Sequence, residues 1–321
     1  MQRSLKFISF FLLITVVLFT GGCAGKEQAP LKIKLGMLPI ADNLPFWVAE
    51  EKGYFKEAGL DVELVPFPSA LERDSAFAAK QIDGAVGDLL AVAAMQNSGT
   101  KVKAVAVAQG ITPGENRFGI LSAPNSGIKN VVQLKNVPIA MSLNTINEFI
   151  TDGLLLSAGF NQDEIKKTAI PKLPVRLDAL LNGTVKAAVL PDPFATLAEQ
   201  SGANLVLDNT KNTVSPTVVM VRQEALDKNL AGIKKLMQAY TKAVSDIQSK
   251  PEQFDNILVE KARVPKQLLD NKENKLKFHF SQPVLPAAQD VEKVVKWMVD
   301  HKLLKSTLSY QDLVDARVLE K

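Results

Sequence analysis

Strand and helix signals alternate along this chain from residue 31 onward, and this alternation constrains the fold more than any other feature. Residues 32–38, for example, alternate polar and apolar side chains as a half-buried strand does. Strands are expected at residues 32–38, 61–65, 82–87, 102–108, 137–141 and 187–190. Helices are expected at residues 44–52, 70–80, 89–97, 146–158 and 193–200, and the final hundred residues are chiefly helical. Such alternation is typical of an α/β protein with mostly parallel sheets.

A weak internal repeat lies within this series. Residues 83–99 and 186–202 each contain a strand of small apolar residues, an acid at its end, a helix and a terminating glycine. The two acids, Asp88 and Asp192, are 104 residues apart. Ligands of open α/β sheets bind outside the carboxyl ends of the strands, so two such units favour two sheets that face one shared cleft. Chance reuse of a pattern common in parallel folds is the alternative.

Two breaker-rich segments are candidate crossings between the two halves. Residues 109–114 and 212–216 contain glycine, proline or both, and they flank about a hundred residues. A hinge needs positions that absorb backbone rotation, and these segments provide them.

The first 23 residues have the pattern of an export signal. Arg3 and Lys6 precede the mainly apolar run 7–19, which is shorter than the roughly 20 residues that a membrane span needs. Small residues then lead to Cys23, an arrangement that resembles a bacterial lipoprotein signal, although Thr20 stands where that family usually has leucine. We therefore expect a signal peptide at residues 1–22 and lipidation of Cys23. An ordinary signal peptide with a bystander cysteine is the alternative.

The composition of the remaining chain excludes several classes of function. About 46% of the residues are apolar, enough for a large core, and Cys23 is the only cysteine. Disulfide scaffolds, thiolate catalysis and cysteine–metal sites are therefore excluded. Removing Arg3 and Lys6 leaves 36 basic and 34 acidic residues, which gives no electrostatic footprint for nucleic acid. Residues 23–30 are small and polar and are expected to be a lipid-anchored tether.

Three stretches resemble the substrate-binding proteins of ABC importers, in the branch that handles nitrate, taurine, alkanesulfonates and thiamine-pyrimidine precursors. They are residues 43–62, 81–85 and 190–195. The resemblance implies a type II periplasmic-binding-protein fold, an α/β fold with two lobes, two mixed sheets flanked by helices, and a ligand cleft between the lobes with two hinge crossings. It also implies that lobe 1 comprises residues 31–111 and 216–321, and lobe 2 residues 112–215.

The resemblance further implies capture of a small organic solute, sulfonate-like, taurine-like or pyrimidine-like, by hinge closure. A lipid-anchored monomer on the extracytoplasmic face of the membrane would deliver this solute to a permease. A separate subunit would hydrolyse ATP, in keeping with the lack of a Gly-x-x-x-x-Gly-Lys-Ser/Thr loop in this sequence. No enzymatic activity, cofactor, metal or nucleic acid is expected.

Candidate ligand contacts lie in loops at the expected strand ends. Asp42 and Asn43 follow the first strand, and Trp47 lies one helical turn along, where it can wall an apolar pocket. Helix capping by Asn43 and a core position for Trp47 are the alternatives. Asp88 and Asp192 are candidates too, although an acid that opens a helix is also a preferred N-cap.

In the second lobe, relatives place a Gly-Ser-Thr turn after the strand at residues 137–141. The matching residues here include Asn144 and Thr145, which can donate hydrogen bonds to a ligand. Thr145 and Glu148 also have the spacing of a capping box, which we expect to occupy Glu148. The missing glycine and the nearby carboxylate argue against a bare oxyanion as ligand.

The charges expected in the cleft favour a nitrogenous solute. The acids are Asp42, Asp88, Glu148 and Asp192, and the nearby bases are Arg73, Lys172 and Arg176. Such a lining suits an amine or ring nitrogens better than nitrate or sulfate.

Two other classes of function remain open. Relatives of this architecture include two kinds of enzyme, a pyrimidine synthase of thiamine biosynthesis and a dehydratase of menaquinone biosynthesis. A synthase of this kind uses an active-site histidine. The only histidines here, His279 and His301, fall in the carboxyl-terminal region, away from the expected cleft loops. A sensory lipoprotein that reports its ligand to a membrane receptor would have the same binding chemistry.

Overall fold

Two five-stranded sheets flanked by helices make up the protein in a computed structural model, which describes residues 31–211, 216–270, 276 and 278–320. The expected signal peptide, Cys23 and tether lie outside the described residues, as do residues 212–215 of the second expected crossing. The two mixed sheets and their flanking helices confirm the fold class expected from the sequence.

The first sheet contains four strands from the start of the described chain and one strand that follows the second sheet. Its strands are β1 (Leu31–Met37), β2 (Leu60–Pro66), β3 (Gly84–Asp88), β4 (Val102–Gln109) and β10 (Thr217–Arg222). They lie in the order β2-β1-β3-β10-β4. β1 is parallel to β2 and β3, whereas β10 is antiparallel to both of its neighbours.

The second sheet is built from the middle of the chain. Its strands are β5 (Phe118–Ser122), β6 (Pro138–Met141), β7 (Lys166–Ala169), β8 (Ala187–Pro191) and β9 (Asn204–Asp208). They lie in the order β7-β6-β8-β5-β9. β6 is parallel to β7 and β8, whereas β5 is antiparallel to β8 and β9.

The two sheets have the same topology. If β1 is matched with β6, β2 with β7, β3 with β8, β4 with β9 and β10 with β5, the two strand orders coincide. The antiparallel strand of each sheet directly follows a connection from the other sheet, since β5 follows β4 and β10 follows β9. The repeat seen in the sequence therefore belongs to two similar halves, which we call the first and second lobes after their sheets.

Helices connect most of the strands and cover the sheets. The helices of the described residues are α1 (Leu44–Glu51), α2 (Tyr54–Glu57), α3 (Ala70–Ala78), α4 (Leu89–Ser98), α5 (Ile146–Ser157), α6 (Leu173–Leu181), α7 (Phe194–Gln200), α8 (Gln223–Ser249), α9 (Asp255–Lys261), α10 (Lys266–Asp270), α11 (Ala288–Asp300) and α12 (Tyr310–Leu313). Among these described helices, none is both long and apolar enough to span a membrane.

The sequence analysis located six of the strands but omitted β5, β7, β9 and β10. β5 and β10 are buried at every position, so they lack the alternation that marks a half-buried strand. β7 has only four residues, Lys-Lys-Thr-Ala, and no apolar face. Short or fully buried strands give little periodic signal, and pairing with neighbouring strands decides their structure.

The long helix α8 packs against α1 and joins the carboxyl-terminal region to the start of the first lobe. Phe46 of α1 and Tyr240 of α8 are both fully buried, and their ring centroids are 4.8 Å apart. Aromatic rings in this arrangement contribute packing energy beyond the area that they bury.

Replacing Phe46 with alanine should test this contact. Phe46→Ala leaves a cavity against Tyr240, so we expect the free energy of unfolding to fall by about 3–5 kcal/mol in denaturant titrations. Val132→Ala is the control, because Val132 is 64% exposed and should change stability by less than about 0.5 kcal/mol. Equal effects of the two substitutions would contradict the packing role of Phe46.

Candidate functional site

The carboxyl edge of the first sheet brings together polar residues from three strands. β1 and β3 are neighbours, so the loop after β1, with Asp42, lies beside Asp88 at the end of β3. Because β10 is antiparallel, its first residue, Thr217, pairs with Asp88 on one side and with Gln109 on the other.

The second sheet has a matching edge. β5 begins at Phe118, which pairs with Pro191 at the end of β8. Ser142 directly follows β6, and α5 begins four residues later at Ile146. Both edges contribute to one pocket between the lobes, which we call the central cleft.

The central cleft has a volume of about 40 Å³ and is lined from both lobes. Its first-lobe residues are Leu38, Ile40, Asp42, Ala70, Arg73, Val86, Gly87, Asp88 and Thr217. Its second-lobe residues are Phe118, Ser142, Thr145, Ile146, Asn147, Pro171, Leu173 and Pro191. Its apolar wall and few converging polar groups are typical of the lining of a small-molecule site, but its volume is far below the roughly 300–1,000 Å³ of such sites.

A buried arginine supports the cleft in each lobe. Arg73 Nη1 donates to the carbonyl oxygen of Val86 at 2.6 Å, and Arg176 Nη1 donates to that of Val189 at 2.9 Å. Each arginine lies 13 residues before the carbonyl that it binds, so the pair extends the internal repeat. Both side chains are at most 2% exposed.

The two arginines differ in their partners. Arg73 Nε donates to Asp74 Oδ1 at 2.8 Å, which pairs its charge. Arg176 donates to the Asn147 amide oxygen and to Ser142 Oγ, and burial without a carboxylate partner lowers its pKa to about 9. Arg176 therefore fixes the orientation of two side chains that line the cleft.

Two acids at the first-lobe edge are buried, and neither forms an ion pair with any residue that the structure describes. Asp42 is 3% and Asp88 5% exposed. Burial raises the pKa of Asp42 to about 6, opposed by the nearby Thr217 hydroxyl and by the Arg73 charge. Burial also raises the pKa of Asp88 to about 6, although Arg73 and the Ala91 amide group favour its charged form.

Two oxygen atoms of this edge are unsatisfied. Asp42 Oδ1 and Thr217 Oγ1 are buried and have no hydrogen-bond partner within the described part of the chain. Asp88 Oδ1 does accept a hydrogen bond from the Ala91 amide at 2.8 Å, so Asp88 is the N-cap of α4 as its position suggested. Buried polar atoms without partners are rare in proteins, and at a pocket they indicate places for ligand atoms.

The start of α5 forms the second-lobe wall. Thr145 is the N-cap of α5, and its Oγ1 accepts a hydrogen bond from the Asn147 backbone N–H at 3.3 Å. Glu148 does not complete the expected capping box, because its Oε2 accepts from the Asn144 amide group. Its Oε1 lies 2.8 Å from Lys167 Nζ, so Glu148 has a cationic partner. Asn144 is exposed, in a turn with φ of 60°.

Asp192 is bound within its own lobe and is not the N-cap of α7. The N-cap position belongs to Pro193, while Asp192 Oδ1 accepts from the Thr196 amide and hydroxyl groups at 3.0 and 2.8 Å. Its carboxylate also lies 3.4 Å from Arg117 Nη1, and Arg117 pairs with two further acids, Glu199 and Asp208.

A smaller pocket adjoins the central cleft on the side of the β4–β5 connection. Its lining includes Asp42, Glu115, Arg117, Asp192 and His279. The structure therefore corrects the expectation that His279 lies away from the cleft loops. Gln109 Nε2 donates to the His279 carbonyl oxygen at 2.9 Å, a tertiary contact that no local pattern signals.

The other two candidates of the first lobe lie next to the central cleft rather than on its wall. Asn43 is fully buried, and its Nδ2 donates to the Leu38 carbonyl oxygen at 2.9 Å instead of capping α1. Trp47 is 5% exposed and lines a separate groove with Phe67 and, across the lobes, Pro174.

Side-chain contacts join the two lobes near the cleft. Glu72 of α3 and Lys172, before α6, lie 3.4 Å apart at the exposed rim. Elsewhere α11, which packs on α4, reaches α5 of the second lobe. Trp297 Nε1 donates to Asp152 Oδ2 at 3.2 Å, and His301 Nε2 lies 3.2 Å from the same oxygen. His301 is therefore part of an interlobe cluster and not an isolated surface residue.

The structure thus places three of the seven candidate residues, Asp42, Asp88 and Thr145, on the central cleft. The ligand-binding role of all seven stays a prediction. The sequence analysis missed Ser142, Asn147 and Thr217. Ser142 follows an expected strand and could have been found from that position. Thr217 could not, because its strand was not recognised.

One protein-family model matches about two thirds of the chain. The model described as NMT1/THI5 like matches residues 41–254. The chain belongs to this NMT1/THI5-like family. The match spans β2–β10 and includes every residue named on the central cleft except Leu38 and Ile40. No match was found among curated proteins.

Solved structures share the fold of this NMT1/THI5-like protein. The alkanesulfonate-binding protein SsuA from Xanthomonas axonopodis pv. citri, bound to MOPS, has a TM-score of 0.76 at 15% identity and covers 88% of this chain and 98% of its own. The periplasmic nitrate-binding protein NrtA from Synechocystis PCC 6803 has a TM-score of 0.71 at 16% identity, covering 86% and 83%. The desulfurization enzyme DSZB has a TM-score of 0.67 at 13% identity, covering 90% and 97%.

These comparisons confirm the family resemblance and the two-lobed periplasmic-binding-protein fold stated from the sequence. Two of these three structures belong to binding proteins, and one belongs to an enzyme. The fold by itself therefore supports both binding and catalysis.

The raised pKa of Asp42 predicts a stability that depends on pH. A carboxyl group whose pKa rises on folding stabilises the fold below its ordinary value of 3.8, and this contribution is lost as the pH rises through about 6. Asp42→Asn removes the charge, so we expect it to raise the free energy of unfolding of the ligand-free protein at pH 8 by roughly 3 kcal/mol. No increase is expected at pH 4.

Denaturant titrations at both pH values would measure this difference. Asp163→Asn is the matched control, since Asp163 is exposed, and it should leave stability unchanged at both pH values. If Asp42→Asn instead lowers the free energy of unfolding at pH 8, the charged form of Asp42 must have favourable partners in the folded protein.

Proposed function

We propose that this protein is the solute-binding component of an ABC importer. It captures a small organic solute, sulfonate-like, taurine-like or pyrimidine-like, in the central cleft by hinge closure and delivers it to a permease that works with a separate ATPase subunit. The observation that carries this proposal is a pocket with an apolar wall and a few converging polar groups, lined from both lobes of a periplasmic-binding-protein fold. SsuA and NrtA, which share that fold, are described as alkanesulfonate-binding and nitrate-binding proteins.

The two lobes divide, in this proposal, into residues 31–111 with 216–321 and residues 112–215. The connection from β4 to β5 supports this division because it passes from one sheet to the other. Ligand contacts are assigned to Asp42, Asp88 and Thr145, which line the cleft. Asn43, Trp47, Asn144 and Asp192 remain candidates that would contact the ligand only after rearrangement.

Membrane attachment through Cys23 is part of the same proposal. The basic start, short apolar run and small residues before Cys23 support a cleaved signal and a lipidated cysteine. A monomer anchored in this way on the extracytoplasmic face keeps the captured solute close to the permease.

An enzyme and a sensor are the alternatives to an importer component. The enzyme DSZB shares the fold, and His279 lies beside Asp42 and Asp192. Product formation on incubation with candidate substrates would favour an enzyme. Crosslinking of the closed form to a histidine kinase, rather than to a permease, would favour a sensor.

A thermal-shift screen tests solute binding. The full-length protein, unfolded and refolded to remove any bound solute, is heated with taurine, alkanesulfonates, nitrate, aminopyrimidines, amino acids or sugars. A ligand at 100 times its Kd should stabilise the fold by roughly 2.7 kcal/mol, which raises Tm measurably. Selective stabilisation by one chemical class is expected.

Thr217→Val is the diagnostic variant for this screen. It removes the unpaired buried hydroxyl group while keeping the shape of the side chain, so we expect a loss of roughly tenfold in affinity. Val132→Ala, which is far more exposed, should bind normally. The proposed function fails if no solute stabilises the protein. Unchanged affinity of the Thr217 variant would instead exclude Thr217 as a contact of the solute.

Replacing Cys23 tests the lipid anchor. In bacteria fed labelled palmitate, the native protein should be labelled and should fractionate with membranes. Cys23→Ser removes the acylated thiol, so we expect no label. Equal labelling of the two proteins would exclude Cys23 as the site.

A further inference from the structure

The first-lobe edge of the central cleft presents two buried carboxyl groups beside a buried threonine hydroxyl group. Asp42 and Asp88 follow neighbouring parallel strands, and the charge of Asp88 acts on Asp42. Thr217 pairs directly with Asp88 across β3 and β10. All three side chains are at most 5% exposed and line the same pocket.

Neither Asp42 nor Asp88 is part of an ion pair within the described part of the chain. Among the described residues, no basic side chain lies within 4.0 Å of Asp42 or Asp88 as an ion pair. Arg73 is the nearest base, but it is bound to Asp74 and to the Val86 carbonyl oxygen. Arg176 lies behind the second-lobe wall, where it donates to Ser142 and Asn147.

Helix capping does not account for all the polar atoms of this edge. Asp42 Oδ1 and Thr217 Oγ1 are each buried, on the cleft and without a hydrogen-bond partner in the described chain. A ligand atom that donates hydrogen bonds would satisfy Asp42 Oδ1, and the Thr217 hydroxyl can either donate or accept. An anionic atom would meet two carboxylates in a medium that screens charge poorly.

We propose that the solute carries a positively charged or hydrogen-donating nitrogen, which binds between Asp42, Asp88 and Thr217. This inference rests on the proposed function and narrows it to amine-bearing or amidine-bearing solutes. The Ser142 and Asn147 side chains, held by Arg176, then receive the other end of the molecule. A bare oxyanion does not fit the first-lobe edge.

The titration of the two acids agrees with this geometry. Burial raises the pKa of each to about 6, because the charged form lacks a partner that a bound cation would supply. The other charged groups that act on them are Arg73, which favours ionisation, and Asp74, which opposes that of Asp88. Two further titratable groups lie near Asp42. They are Glu115, in the adjoining pocket, and Tyr240 of α8.

Matched pairs of probes test the inference on the full-length protein by titration calorimetry. Each pair replaces the amino group by an oxygen group and leaves no N–H donor: taurine against 2-hydroxyethanesulfonate, and 4-aminopyrimidine against 4-methoxypyrimidine. Nitrate and methanesulfonate serve as bare oxyanions. We expect the nitrogen-bearing member of at least one pair to bind at least tenfold more tightly than its oxygen analogue at pH 8.

A change of pH and two substitutions then test whether the nitrogen-bearing probe binds at this edge. Lowering the pH from 8 to 5 protonates the two acids, so binding of the nitrogen-bearing probe should weaken, whereas binding of an oxyanion should strengthen. Asp42→Asn and, separately, Thr217→Val should each weaken it at least tenfold. Asp163→Asn, at an exposed acid, should not.

The inference is overturned if the oxygen analogues or oxyanions bind as tightly as the nitrogen-bearing probes, if affinity rises at pH 5, or if neither variant weakens binding. In those cases a solute is still bound, so the proposed function survives. Absence of binding by every probe in both the calorimetry and the thermal-shift screen would overturn the inference and the proposed function together.

Discussion

The two antiparallel strands that follow the interlobe connections set the geometry of the whole protein. β10 completes the first sheet between β3 and β4, and β5 completes the second between β8 and β9. An antiparallel strand begins where its parallel neighbours end. Thr217 and Phe118, the first residues of these strands, therefore reach the sheet edges that line the cleft. The backbone hydrogen bonds that complete each sheet therefore also position these two residues at the site.

Each lobe has a buried arginine whose hydrogen bonds hold residues of the cleft wall in place. A buried guanidinium group needs several acceptors, and Arg176 obtains them from carbonyl oxygens of Ile170 and Val189 and from the side chains of Ser142 and Asn147. Its hydrogen bonds therefore connect β8, α6 and the start of α5. Arg73 has the equivalent position in the first lobe, but Asp74 takes up its charge. The repeat is thus preserved in the scaffold, while the two cleft walls differ in charge.

The cleft and its surroundings contain both satisfied and unsatisfied polar groups. Asp192 and Glu148, two acids expected in the site, are paired with Arg117 and Lys167. Asp42 and Thr217 keep oxygen atoms without partners. Unsatisfied buried groups lower stability, and proteins retain them mainly where binding or catalysis requires them. In our proposal, the wall that carries Asp42 and Thr217 determines specificity.

The sequence alone predicted the α/β class, the six more periodic strands, and the two units that end in Asp88 and Asp192, because those features rest on local periodicity and on the cap and turn residues. It also placed Asp42, Asp88 and Thr145 in strand-end loops. It could not show that Asp192 is neutralised by Arg117, which lies 75 residues earlier in the chain, or that His279 approaches Asp42. Strand pairing decided the place of Thr217, and burial decided which acids lack partners. Both depend on contacts between residues far apart in sequence, so only the tertiary structure determined them.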